Sequence, residues 1–223
     1  MTLSLDLAQE EIIYPSSDGQ PMADSTLQYQ WITTIKGGCE TLFRDNPDVF
    51  VAADLLWYPV EGRPEICQAP DTMVVFGRPK GHRTSYRQWR EDNVTPQVVF
   101  EIRSHNDSQT KMNKKLAWYN RYGVEEYYLY EPEDIRLFGW ERQDEQLEVI
   151  DPILGWISPR LGVRFELGND GLELYRPDGQ RFLDYIELDT QREEALQRAE
   201  QEAQRAEKLA TKLRELNIDP DLL

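Results

Sequence analysis

Two acidic residues beside apolar runs are the clearest candidates for chemistry in this chain. Glu101 closes the run 97–100, and Asp71 lies thirty residues earlier, at the start of a second apolar run. Because side chains alternate between the faces of a strand, Glu101 and Arg103 should share one face and Ile102 the other. A carboxylate on an otherwise apolar, buried strand is unfavourable unless it is paired or bound to a metal. Glu101 therefore needs either an ionic partner or a metal.

The distribution of charge bears on the substrate. The 223 residues have a formal net charge of −16, which argues against nucleic acid because phosphate binding depends on Lys and Arg. However, segment 77–121 contains ten basic and four acidic residues, a local charge of +6, so the remainder carries −22. A basic segment between and after two carboxylate strands is typical of a cleft for phosphodiesters. On charge alone, a solvated loop and helix surface explain the segment equally well.

Hydrophobic spacing predicts the elements that position these residues. A helix is expected over residues 25–44, with Ser25 to Gln28 as a capping box and one apolar face packed on a sheet. That face comprises Leu27, Trp31, Ile35, Cys39 and Leu42. Strands are expected over 49–58, 69–76, 97–103 and 125–130. The insertion 77–96 is too long for a passive turn and is predicted to be functional.

The helix predicted over residues 107–122, with Asp107 as its N-cap, carries the next candidate. Its apolar face comprises Met112, Leu116 and Tyr119. At about 100° per residue, Lys115 lies on the flank of that face, whereas Lys114 points nearly opposite. Because only a short loop joins the Glu101 strand to this helix, Lys115 is expected to reach the carboxylates.

The C-terminal third predicts further strands and then a separate helix. Residues 135–187 indicate short strands with two hairpin signals, 169–171 and 177–179, and are predicted to extend the sheet with antiparallel strands. After Glu187 the composition changes to Glu, Gln, Arg, Ala and Leu. The predicted organisation is therefore one domain over 1–187 and a helical tail over 188–223.

An apolar seam in the tail predicts self-association. Residues at 3-4 spacing are Leu196, Ala199, Ala203, Ala206, Ala210 and Leu213. A lone helix cannot bury such a seam, so a marginal coiled-coil dimer through residues 190–216 is the interpretation. The alternative is a helix folded back on its own domain.

Cysteine content and hydropathy indicate a cytoplasmic protein. Cys39 and Cys67 do not form a disulfide scaffold or a paired metal motif. Residues 1–20 lack the features of a signal peptide, and no apolar stretch is long enough to cross a bilayer. Neither secretion nor membrane insertion is expected.

Taken in order, these residues resemble the PD-(D/E)XK nuclease superfamily. More narrowly, the runs APDTMVVFGRPKGHR, QVVFEIRS and KLAWYNRYGVEEYYLYEP are similar to the Uma-type restriction endonucleases, over most of residues 14–187. The resemblance implies an α/β, restriction-endonuclease-like fold with a mixed sheet flanked by helices. It also implies a Mg²⁺- or Mn²⁺-dependent endonuclease acting on DNA.

The resemblance assigns roles to individual residues. Asp71 and Glu101 match the metal-binding acids, and the backbone carbonyl of Ile102 matches a third ligand; such hard oxygen donors suit Mg²⁺. Arg103 stands where the superfamily has its lysine, but in this family that position is commonly apolar and Lys115 occupies the position of the lysine. Arg103 departs from both patterns, and a guanidinium can clamp a phosphate but cannot act as a base.

Further candidates surround this site. The predicted DNA contacts in the insertion are Arg78, Lys80, Arg83 and Arg87. Asp54 is a possible third acid, with a structural role preferred. His82 and His105 are interpreted as loop residues. Tyr86 and Trp89 could stack on bases, but anchoring the insertion is the more common use of such rings.

Each main assignment has a structural alternative. Asp71 after a proline is also ordinary turn chemistry. Glu101 and Arg103 could form an ion pair on one strand face, and Lys115 could lie along an aromatic flank. The rival of the nuclease hypothesis is therefore a non-catalytic scaffold that keeps the fold and binds a partner through its tail.

Overall fold

The structure, a computed structural model, describes residues 12–216. Contacts divide the chain into two units, one ending at Phe182 and the other beginning at Leu183. The boundary predicted from composition, after Glu187, lies a few residues further on. Within the described range, none of the helices combines the length and apolar character needed to cross a membrane.

Residues 12–182, the described part of the first unit, contain ten strands, two α-helices and a short 3-10 helix, Gln88–Arg90. The strands are β1 (Val49–Ala52), β2 (Trp57–Tyr58), β3 (Thr72–Phe76), β4 (Tyr86–Arg87), β5 (Val98–Ile102), β6 (Glu126–Glu131), β7 (Arg136–Gln143), β8 (Gln146–Val149), β9 (Arg164–Gly168) and β10 (Gly171–Tyr175). The helices are α1 (Thr26–Leu42) and α2 (Gln109–Arg121).

A mixed six-stranded sheet forms the centre of this unit. Its order is β1-β3-β5-β6-β7-β8, and only β5 and β6 pair in parallel. Parallel neighbours need a crossover connection, and α2 provides it between β5 and β6. The predicted α/β mixed sheet flanked by helices is therefore the observed architecture.

Two apolar clusters cover the two faces of the sheet, as strand alternation requires. On one face α1 packs through Ile32, Ile35 and Cys39, together with Phe100 and other strand residues. On the other face α2 packs through Met112 and Tyr119 against Val99, Tyr127 and their neighbours. Val99 and Glu101 share a strand face, so Glu101 belongs to the face that α2 covers.

The predicted helices are present, with local differences at their ends. Ser25 caps α1 as expected, since its Oγ accepts the Gln28 N–H at 3.1 Å. Leu27, expected on the buried face, is 37% exposed. The N-cap of α2 is Ser108, not Asp107; the Asp107 side chain instead accepts the N–H of Ser104, at 3.0 Å, and closes the turn after β5.

Two strand predictions were wrong in extent or partner. The strand expected over 49–58 is two strands, because Asp54 between them adopts the left-handed region with φ 48°. Among the later strands, β7 and β8 extend the sheet antiparallel as predicted, but β9 and β10 form a separate two-stranded sheet. The turn at 169–171 joins β9 to β10, as its sequence predicts.

The described part of the second unit, residues 183–216, contains one long helix. It is α3 (Tyr185–Glu215), of 31 residues. Asp184 and Glu187 form a capping box at its start: the Glu187 N–H donates to Asp184 Oδ1 at 2.8 Å, and the Asp184 N–H donates to Glu187 Oε2 at 3.0 Å. The predicted helical tail is thus present, beginning just before Glu187.

Candidate active site

Asp71 and Glu101 meet at the centre of the sheet. Asp71 immediately precedes β3 and Glu101 is the next-to-last residue of β5. The two strands are antiparallel with Thr72 opposite Phe100, so the same register places Asp71 opposite Glu101. Directly opposed residues share a face and are the closest cross-strand neighbours. Both are buried, at 8% and 1% exposed, respectively.

Helix α2 brings two donors to the Glu101 carboxylate. Lys115 Nζ lies 2.6 Å from Glu101 Oε2. The hydroxyl of Tyr119, one helical turn further on, donates to Glu101 Oε1. The structure therefore places Lys115 against the carboxylate that the helix geometry predicted it would reach. Both oxygens of Glu101 have a hydrogen-bond donor.

Burial and mutual charge set the protonation of this group. Burial, and then the charge of Glu101, raise the pKa of Asp71 well above its usual range, although Lys115 opposes the shift. Burial alone would lower the pKa of Lys115, but Glu101 and Asp71 outweigh it and raise that pKa. Burial and Glu101 also raise the pKa of Tyr119. Lys115 is therefore an ammonium and Tyr119 a neutral hydroxyl at neutral pH.

Ile102 is held through both of its backbone polar groups. Its N–H donates to Asp71 Oδ2 at 2.6 Å, and its carbonyl accepts from Gln28 Nε2 at 2.8 Å. Gln28 in turn accepts the N–H of Asp24 at 2.8 Å. The Gln28 side chain thus turns into the core, where the sequence predicted a capping-box partner of Ser25. A carbonyl oxygen has two lone pairs, so Ile102 retains one acceptor position.

Replacing Gln28 by leucine tests this contact. The variant should lower the free energy of unfolding by about 1–3 kcal/mol, because the buried Ile102 carbonyl loses its side-chain donor. Urea denaturation measures the change. Tyr29→Ala is the matched control on the same helical turn, since Tyr29 is 52% exposed; it should change stability by no more than about 0.5 kcal/mol. Equal losses in the two variants would contradict the assigned contact.

Asp54 lies close enough to affect this site electrostatically. Its N–H donates to the carbonyl of Pro70 at 3.0 Å, which ties the end of β1 to the residue before Asp71. Burial and then Asp18 raise the pKa of Asp54, and Lys115 lowers it. Aspartate tolerates the left-handed backbone better than most residues. The bond to Pro70 is a backbone contact, so the structural role preferred for the Asp54 side chain stays a prediction.

The metal-ligand chemistry of the site rests on two carboxylates. Across residues 12–216, His, Cys, Asp and Glu side chains form no group of three or more that could hold a metal ion. A metal at this site would therefore use Asp71 and Glu101, with the carbonyl of Ile102 and water completing its coordination. Those are hard oxygen donors of the kind that Mg²⁺ and Mn²⁺ accept.

Arg103 belongs to a neighbouring ion pair. Its guanidinium pairs with Glu131 at the end of β6, and its Nε donates to the carbonyl of Asp107 at 3.1 Å. Glu101 pairs with Lys115 instead, so the Glu101–Arg103 ion pair considered from the sequence is not the arrangement found. Arg103 binds the loop before α2 to the sheet.

The four predicted DNA contacts of the insertion all have partners within the chain. Arg78 and Arg83 pair with Glu91, at 3.2 and 2.7 Å. Lys80 donates to two carbonyls at the C-terminal end of α1, at 2.6 and 2.8 Å. Arg87 lies over an aromatic ring, 4.9 Å from its centroid. These contacts hold the insertion in place, whatever else the side chains bind.

The remaining candidates of the insertion and loops have structural surroundings. Tyr86 is fully buried and its hydroxyl donates to Val94 O at 2.7 Å, so it anchors the insertion. Trp89 contacts the ring of Tyr14, with centroids 4.9 Å apart. His82 and His105 lie in exposed loops, as interpreted from the sequence.

The sequence reasoning missed two residues that contact the site. Tyr119 was assigned only to the apolar face of its helix, and Gln28 only to a helix cap. The spacing of four residues between Lys115 and Tyr119 was the available signal, because such pairs lie on one helix face. For Gln28 there was none, since its partner Ile102 is 74 residues away.

The protein has a nuclease-like α/β fold. Its mixed sheet carries two opposed carboxylates, and a lysine from the crossover helix contacts one of them. The family model Uma2, described as "Putative restriction endonuclease", matches residues 6–159. The chain belongs to this family, which confirms the resemblance and the fold class predicted from the sequence.

Several solved structures match this chain, and one of them is described in its title as a nuclease. A crystal structure titled as a putative nuclease belonging to DUF820, from Anabaena variabilis ATCC 29413, is similar at 17% sequence identity. The match has a TM-score of 0.46 and covers 63% of this chain and 74% of that one. None of the curated proteins matches the chain.

Proposed function

We propose that this protein is a Mg²⁺- or Mn²⁺-dependent DNA endonuclease of the cytoplasm. The observation that carries the proposal is the buried Asp71–Glu101 pair with the Lys115 ammonium 2.6 Å from Glu101 Oε2. When both carboxylates are ionised, the single ammonium leaves an excess negative charge in a buried site, which a divalent cation would neutralise. Membership of a restriction endonuclease family supports the same activity.

The proposed division of labour follows from the contacts. Asp71, Glu101 and the Ile102 carbonyl would hold the metal, which when bound supplies a Lewis acid for the phosphate and for the attacking water. In this structure Lys115 is charged because the carboxylates raise its pKa, and as an ammonium it would donate a hydrogen bond to the phosphate or to the water. Arg103 can clamp a phosphate only by leaving Glu131.

A plasmid assay tests this function. Supercoiled DNA incubated with the protein and Mg²⁺ or Mn²⁺ should be nicked or linearised, and EDTA should prevent it. Asp71→Ala, purified in parallel, controls for contaminating nucleases. Cleavage that persists in Asp71→Ala, or no cleavage with either metal on duplex or single-stranded DNA, would contradict the proposal.

One observation favours a second candidate, a non-catalytic scaffold. All four basic residues predicted to contact DNA have intramolecular partners, and the chain has a net charge of −16. Calorimetric titration with Mn²⁺ separates the candidates. Saturable binding that Asp71→Ala removes supports the enzyme, and absence of binding supports the scaffold.

We further propose that residues 190–216 form a coiled-coil dimer. Truncation after Glu187 should lower the oligomeric state but leave a folded domain, because both apolar clusters lie before residue 183. Light scattering measures the mass and circular dichroism the folding. In the full chain, Leu213→Glu on the seam should also lower the oligomeric state. Gln204→Glu, which introduces the same charge at a position outside the seam, should leave it unchanged. An unchanged mass after truncation would show that the tail does not hold the assembly together.

A further inference from the structure

The Glu101 carboxylate is held from one direction by a single helix. Lys115 and Tyr119, four residues apart, lie on the same face of α2. Lys115 bonds Oε2 and Tyr119 bonds Oε1, so each donor takes a different oxygen. The last torsion of a glutamate side chain has a broad energy profile, so the rotamer alone does not fix the plane of the carboxylate. Two donors on separate oxygens do fix it.

Tyr119 is itself immobilised by aromatic packing. It is fully buried, and its ring stacks on that of Trp57 with centroids 6.5 Å apart. The rings of Trp118 and Tyr127 lie 5.5 and 5.2 Å away. The Tyr119 hydroxyl therefore contacts Glu101 from a ring that packing holds in place. Lys115 reaches the same carboxylate through a flexible chain of four methylenes.

We propose that Tyr119 is a positioning residue for metal binding: by bonding Oε1, it fixes the orientation of the Glu101 carboxylate, one of the two carboxylates that would hold the divalent cation. The inference rests on the proposed metal site. The two donors are distinguishable, since Lys115 bonds Oε2 and Tyr119 bonds Oε1. Groups that orient a ligating side chain in this way typically contribute about 10–100-fold to metal affinity.

The neighbouring tyrosine offers a matched control. Tyr127 is also fully buried and packs on Tyr119, but its hydroxyl has no hydrogen-bond partner among the described residues. Tyr119→Phe and Tyr127→Phe therefore each remove one buried hydroxyl next to the same site, and only the first removes a bond to Glu101. Phenylalanine keeps the ring contacts, so both variants are expected to fold, and thermal melts verify it.

Mn²⁺ titration of the full chain, followed by electron paramagnetic resonance of the free ion, tests the proposal. Tyr119→Phe should weaken Mn²⁺ binding by about tenfold or more, and Tyr127→Phe should stay within about twofold of wild type. Wild-type affinity in Tyr119→Phe, or equal losses in the two variants, would overturn the positioning role and leave the metal site intact. Failure of the wild-type protein to bind Mn²⁺ would instead overturn the proposed function on which the inference rests.

Discussion

Replacing Lys115 by alanine should reduce plasmid cleavage by at least about 10²-fold, the usual effect of removing one preorganised donor from an active site. The Lys115 side chain is 13% exposed and pairs with a carboxylate that is 1% exposed. In such surroundings the ammonium is worth far more to a developing negative charge than it would be in water. The initial rate of loss of supercoiled plasmid measures the effect, with Mn²⁺ titration to show that metal binding survives.

Two further variants control this experiment. Lys114→Ala removes the adjacent, exposed lysine and should cleave like wild type. Arg103→Leu should also retain cleavage, because the Arg103 guanidinium pairs with Glu131 and not with the carboxylates of the site. In that variant Glu131 still pairs with Arg136, at 2.6 Å. Full activity in Lys115→Ala together with none in Arg103→Leu would place the essential cation at Arg103 instead.

Asp71→Asn should abolish cleavage and yet stabilise the metal-free fold at neutral pH. Burial and the facing Glu101 charge raise the pKa of Asp71, so its ionised form opposes folding. Asparagine keeps an oxygen that can accept the Ile102 N–H but carries no charge. The proposed metal site loses one of its two carboxylates, so cleavage with Mg²⁺ should fall below detection.

The stabilisation expected for Asp71→Asn should depend on pH. An unfolded aspartate has a pKa of about 3.9, and the folded value is higher, so between the two the native state binds more protons. The free energy of unfolding is therefore unaffected by Asp71 when the pH is below the pKa of the unfolded state. It decreases as the pH rises through the pKa of the folded state. Urea melts with EDTA should show wild type and Asp71→Asn converging near pH 4 and separating towards neutral pH. Lower stability of the variant at neutral pH would contradict the argument.

An exposed aspartate provides the reference for those melts. The side chain of Asp45 is 93% exposed, so Asp45→Asn should leave the pH dependence of stability unchanged. If Asp45→Asn and Asp71→Asn behaved alike, the stabilisation would reflect the lower net negative charge of the chain and not the burial of Asp71.

Local elements of this protein follow from its sequence. Period-two alternation correctly assigned Glu101 to the face of the sheet opposite Phe100, and helical periodicity directed Lys115 towards that face. Ser25 was recognisable as a helix cap from its position before an apolar repeat. These features depend on residues a few positions apart, where backbone geometry determines which side chains can meet.

Charge patterns were less informative than they seemed from the sequence. The basic residues of the insertion suggested a phosphate-binding surface, but Arg78 and Arg83 both form ion pairs with Glu91. The acids at 91 and 92 were visible in the sequence, whereas their pairing depends on how the insertion folds back on itself. A local excess of positive charge therefore does not say which cations remain available to a ligand.

What the sequence by itself determined is the order of the main elements, the strand face on which Glu101 lies and the family of the chain. The tertiary structure alone decided which groups contact them: Tyr119 bonds Glu101 from 18 residues away, and Gln28 bonds Ile102 from 74. The physical reason is that periodicity specifies the direction of a side chain from its own backbone. Its partner is specified by the packing of helices on the sheet, which brings together residues that no local spacing relates.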